Sequence, residues 1–78
     1  MIVYTVTKIF GIDAVKTRVF KKKEDAEIDI QETINLLIEN PKQVKIIEKE
    51  NEEKYYIINK SSNPKNYIEF VLRRNEVR

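Results

Sequence analysis

The stretch Arg18-Val19-Phe20-Lys21-Lys22-Lys23-Glu24-Asp25-Ala26-Glu27 is where the periodicity of the chain changes. Before it, Val15, Thr17 and Val19 alternate with Lys16, Arg18 and Phe20, the period of two expected of a strand. After it, Ala26, Ile30, Ile34, Leu37 and Ile38 recur at helical spacing and form one apolar stripe. The lysines therefore stand where a strand over Ala14–Lys22 gives way to a helix over Glu24–Asn40. Glu24, Asp25, Glu27 and Asp29 fill the first turns, where carboxylates complement the positive end of the helix dipole. A strand would point Lys21 and Lys23 one way and Lys22 the other, so the run makes no flat cationic patch. A strand exit followed by a dipole-complemented helix start is preferred to a phosphate-binding role.

Upstream, Met1–Ile9 is β-branched and apolar in both registers, which predicts a strand covered on more than one face. Gly11, the only glycine, with Ile12 and Asp13 marks the turn that pairs this strand with the next as a hairpin. Downstream, Asn40-Pro41 ends the helix, because proline disfavours helical geometry at the residue before it. A third strand is expected over Gln43–Glu50 and a fourth over Lys54–Lys60, separated by a polar turn at Asn51. Ser61–Asn66 is rich in turn formers, and Tyr67–Arg74 reads as a last strand. The order is ββαβββ, a single α+β domain over residues 1–78 with one helix packed on a mostly antiparallel five-stranded sheet. A β-grasp-like mixed sheet, with the last strand parallel to the first, has the same element order and stands as the variant.

Composition narrows the chemistry. The 78 residues contain no His and no Cys, which removes the commonest general base, the most reactive nucleophile and any thiolate metal site. One glycine cannot build a glycine-rich phosphate loop. Asp25, Asp29 and Glu32 share a helical face, but surface helices carry such carboxylates routinely. No enzymatic activity, cofactor or metal is expected. The start MIVYTVTKIF lacks a basic segment and a long apolar run, and no stretch approaches the ~20 apolar residues of a membrane span. With no cysteine, a cytoplasmic location is the expectation.

Two binding surfaces compete. A helix of about 15 residues is ~22 Å long and ~10 Å wide, whereas five strands span ~24 Å, so the helix covers only part of one face. Yet the strands are apolar in both registers, and Ile28 and Leu36 lie off the helical stripe. The excess predicts a surface for a protein partner, or for a second copy in a homodimer, presented as an open sheet face or an edge strand, with Tyr4, Tyr55, Ile57, Tyr67 and Val71 as its residues. The alternative is a nucleic-acid surface built from Lys16, Arg18, Lys21, Lys22, Arg73 and Arg74, with Lys8 joining across the hairpin. No aromatic RNA-binding pattern or GXXG loop accompanies these cations. By size and lack of catalytic equipment the chain resembles the small inhibitors and accessory proteins made by phages and mobile elements.

Overall fold

A computed structural model describes residues 1–12, 14–37, 44–59 and 67–77. The elements are β1 (Ile2–Phe10), β2 (Ala14–Phe20), α1 (Lys23–Leu37), β3 (Lys45–Glu48), β4 (Lys54–Asn59) and β5 (Ile68–Glu76), with a 3-10 turn at Glu50–Glu52. The five strands form one sheet in the order β2-β1-β5-β4-β3, and all four pairings are antiparallel. First and last strands are neighbours, as in the β-grasp variant, but the mixed sheet of that variant is not formed. Because β5 pairs antiparallel with both β4 and β1, those two run the same way and β5 fills the slot between them. β2 and β3, which precede and follow α1 in the chain, run the same way as β5 and opposite to β1, so the β1–β5 pair is antiparallel.

The boundaries shift for identifiable reasons. β2 ends at Phe20 rather than Lys22, because Lys21 and Lys22 form a bend and the Lys22 carbonyl accepts the first helical bond, from the Ala26 N–H at 3.3 Å. Lys23 opens α1 and reaches Glu27 at 3.8 Å, an i,i+4 pair. β5 runs to Glu76 rather than Arg74, since β1 offers partners down to Ile2↔Glu76. Ile38, the Asn40-Pro41 helix stop, Gln43, Lys60, the Ser61–Asn66 loop and Arg78 lie outside the described residues, as does Asp13 of the first turn. Gly11, with φ 67°, occupies the left-handed region that glycine enters without a Cβ penalty.

The core is the stripe Ala26, Ile30 and Ile34 of α1 seated on Val6, Tyr56, Ile58, Phe70 and Leu72. Phe70, Leu72 and Val6 are fully buried, and the Phe10 and Phe70 rings meet edge to face at 5.6 Å. Side chains alternate across the sheet, so even-numbered residues of β1, β2 and β5 face the helix and odd-numbered ones face away.

Candidate protein interface on the open sheet face

The face away from α1 is built in cross-strand rows. One row runs Val15, Ile9, Glu69, Ile57, Lys45, and the next runs Thr17, Thr7, Val71, Tyr55, Ile47. A shorter row joins Val19, Thr5 and Arg73, and beyond it Val3 lies opposite Asn75. Among the described residues no helix covers these rows. Short polar links tie them together: Asn75 Nδ2 donates to Thr5 Oγ1 at 2.9 Å, and the Thr7 and Thr17 hydroxyls meet at 3.4 Å. The surface is thus β-branched, aromatic and hydroxyl-bearing, with Glu69, Arg73 and Lys45 as the charged members of its rows and Lys49 and Glu53 reaching onto it at Tyr55.

Of the five residues predicted for a protein interface, four lie on this face. Tyr55 is fixed by three neighbours: its hydroxyl donates to Glu53, and Lys49 Nζ stands 4.7 Å from its ring centroid, while Val71 is its strand partner. Ile57 is half-buried in the neighbouring row. Tyr67, at the end of the sheet, donates to Glu69 at 2.9 Å, and burial followed by that bond raises its phenol above the ordinary tyrosine value. Val71, at 7% exposure, is the floor of the face rather than a contact. Tyr4 is placed on the opposite face, packed against the core cluster, with its hydroxyl donating to Glu52 at 3.0 Å. The period-two alternation groups Tyr4 with Val6, which the helix covers. Sequence reasoning passed over Val15 and Val19, which are 60% and 63% exposed on the open side of β2. Their alternation with Lys16 and Arg18 was readable, whereas the edge position of β2 was not.

The cations of the alternative surface are not brought together. Lys16, Arg18 and Arg74 share the helix side, Arg73 is on the open side, and Lys21 and Lys22 are in the bend. Several already hold carboxylates. Arg18 lies 3.0 Å from Asp29, and its guanidinium stacks over Phe20 at 5.3 Å. The turn after β3 folds Glu52 and Glu53 back onto β5, so that Arg74 meets Glu52 at 3.8 Å and Arg73 meets Glu53 at 3.1 Å. Lys8 does oppose Lys16 in the hairpin, but it turns under the helix to Asp29 at 2.8 Å and donates to Thr33 Oγ1 at 2.7 Å. Asp29, of the Asp25, Asp29 and Glu32 helical face, is therefore occupied by two protein cations.

On the helix side the coverage is also incomplete. A groove of about 460 Å³ runs between α1 and β3–β4, lined by Glu24, Glu27, Ile28, Gln31, Ile46, Lys54 and Tyr56. Ile28 and Leu36, off the buried stripe, are 54% and 87% exposed. No helix among the described residues is long and apolar enough to cross a membrane. Comparison with protein-family models, with curated proteins and with solved structures finds no match to this chain.

Proposed function

We propose that this domain is a protein-interaction module without enzymatic activity, of the accessory or inhibitor type. It binds another protein, or a second copy of itself, through the open sheet face. The observation that supports this most is the pair of β-branched and aromatic rows, which no helix among the described residues covers. Tyr55 and Ile57 carry those rows on β4, and the well-exposed Val15, with Val19 of the shorter row beside it, lies on the edge strand β2. An apolar surface of that continuity is a liability on an isolated domain and an asset in a complex. The nucleic-acid alternative loses support because Arg18, Arg73 and Arg74 are engaged by carboxylates and divided between two faces.

The test is recovery of partners on tagged protein from a lysate of the source organism, with and without nuclease. A stoichiometric protein that survives nuclease, and is lost with Tyr55→Ser/Ile57→Ser while circular dichroism is unchanged, is the expected result. Recovery that depends on nuclease-sensitive material and falls steeply with salt would refute the reading, since phosphate contacts weaken with salt and apolar association does not.

A further inference from the structure

The two edges of the sheet are not equivalent. β3 offers four residues, Lys45–Glu48, and short edge strands are one of the ways proteins blunt an edge. β2 is seven residues long, contains neither proline nor glycine, and is exposed from Val15 through Val19. Only β1 pairs with it among the described residues. Every second residue of such a strand directs its N–H and C=O away from the sheet, where water or a further strand must satisfy them.

The side chains on that edge say what kind of strand fits. Val15, Thr17 and Val19 lie on the open side, and both valines are more than half exposed. Lys16 and Arg18 lie on the helix side, and Lys21 follows in the exposed bend. Arg18 shares Asp29 with Lys8, and Lys16 has no ion-pair partner among the described residues. A second copy is a poor occupant. An antiparallel two-fold pairing that keeps both helices on one side and overlaps Ala14–Phe20 fully sets Val15 against Val19, Thr17 against Thr17, and Lys16 against Arg18. Like charges directly opposed across strands destabilise the pair. Shifting that register by two residues on the strand brings Lys16 against Lys16 or Arg18 against Arg18, which is no better.

We infer that β2 accepts an extended segment of another protein as a sixth strand, one in which carboxylates alternate with apolar or β-branched residues. Its main chain hydrogen-bonds the free edge, its carboxylates face Lys16 and Arg18, and its apolar residues lengthen the rows of the open face. This deepens the interaction-module reading and rests on it: the β2 edge supplies the register, and the open face the apolar contact.

The experiment titrates the full isotope-labelled chain with capped peptides of about nine residues, long enough to match one strand. One alternates valine or threonine with glutamate, a second carries lysine in place of glutamate, and a third is the acidic peptide N-methylated at alternate positions. The acidic peptide is expected to slow hydrogen exchange at alternate amides of β2, with the lysine and N-methylated peptides at least about tenfold weaker. Lys16→Glu is the matching change in the protein. Lys16 is exposed and holds no ion pair among the described residues, so the substitution breaks no contact and the hairpin keeps its fold. It should weaken the acidic peptide about tenfold. It should also promote self-association beyond that of the parent chain, because the two-fold register then opposes unlike charges. Equal binding of the acidic and lysine peptides, protection outside β2, or no binding at millimolar peptide would overturn the inference. So would an oligonucleotide that shifts Lys16 and Arg18 without protecting β2 amides, while the acidic peptide is inert. Should the edge fail while Tyr55→Ser/Ile57→Ser still abolishes partner recovery, the open-face reading stands alone. Should those substitutions leave recovery intact, it is that reading which fails.

Discussion

Glu52 and Glu53 show how much one turn can decide. Asn51 and Glu52 both adopt positive φ, 63° and 61°, and this left-handed pair turns the chain so that successive carboxylates meet Arg74 and Arg73 on opposite sides of the sheet. Left-handed geometry costs an ordinary L-residue roughly 1–2 kcal/mol, least for asparagine and most for a β-branched residue. Asn51→Val should therefore lower stability by about 1–2 kcal/mol in urea unfolding, with Asn51→Gly near neutral. At Glu53 the hydrogen bond from the Tyr55 hydroxyl, supported by Arg73 and opposed by burial, holds the carboxyl below the usual carboxylate range. A depressed folded-state value means the unfolded chain binds the proton more readily, so this stabilisation is present above the ordinary carboxylate pKa and fades as pH falls through the folded one. Glu53→Gln should flatten the urea midpoint between about pH 5 and pH 3, where the parent declines. An unchanged slope in the variant would show that the Tyr55–Glu53–Arg73 cluster does not form in solution.

The link between helix and sheet combines an apolar stripe with ion pairs, from Asp29 to Lys8 and Arg18 and from Glu27 to Lys54. Ala26, Ile30 and Ile34 are buried, and Ile30→Ala should cost about 2–5 kcal/mol by removing transfer energy and leaving a cavity. Beside the stripe, Lys8 and Asp29 are both largely removed from water, at 12% and 14% side-chain exposure, and lie 2.8 Å apart. Asp29 Oδ2 has the ammonium as an ionic neighbour without a well-directed hydrogen bond. Such a pair contributes little net stability when intact, because desolvation offsets attraction, yet losing one partner strands the other. Asp29→Leu alone should thus destabilise the domain more than Lys8→Met/Asp29→Leu together, a sign readable from a double-mutant cycle by thermal unfolding. The element order was legible in the sequence because the 26/30/34 spacing and the strand alternations are local signals. Strand order was not, since the antiparallel slot of β5 between β1 and β4 is fixed by pairing between residues some sixty positions apart. The same gap misplaced Tyr4. Its alternation with Val6 was visible, but which register the helix covers depends on where Phe70 and Leu72 come to lie.

At the scale of the whole molecule, the sheet has a firm centre and a yielding edge. β5 is hydrogen-bonded on both sides, to β1 and β4, and carries Phe70, Val71 and Leu72, all buried. Just beyond it, the Val77 N–H donates to the Met1 carbonyl at 2.7 Å. Among the described residues β2 has one neighbour and no residue in the buried core cluster, though Phe20 packs against it. Opening β2 therefore breaks one ladder and exposes little apolar surface, whereas opening β5 dismantles the core. Local opening energies range from near zero at frayed edges to the global stability at the centre, so native-state hydrogen exchange should rank the strands. Amides of β5 are expected to exchange only through global unfolding, with free energies that follow the urea-derived stability. Those of β2 should exchange through a smaller, denaturant-insensitive opening, and the amides directed away from β1 should exchange almost without protection. Slow exchange along the outer edge of β2 in the free protein would mean that another segment already pairs there, and would remove the free edge on which partner recognition depends.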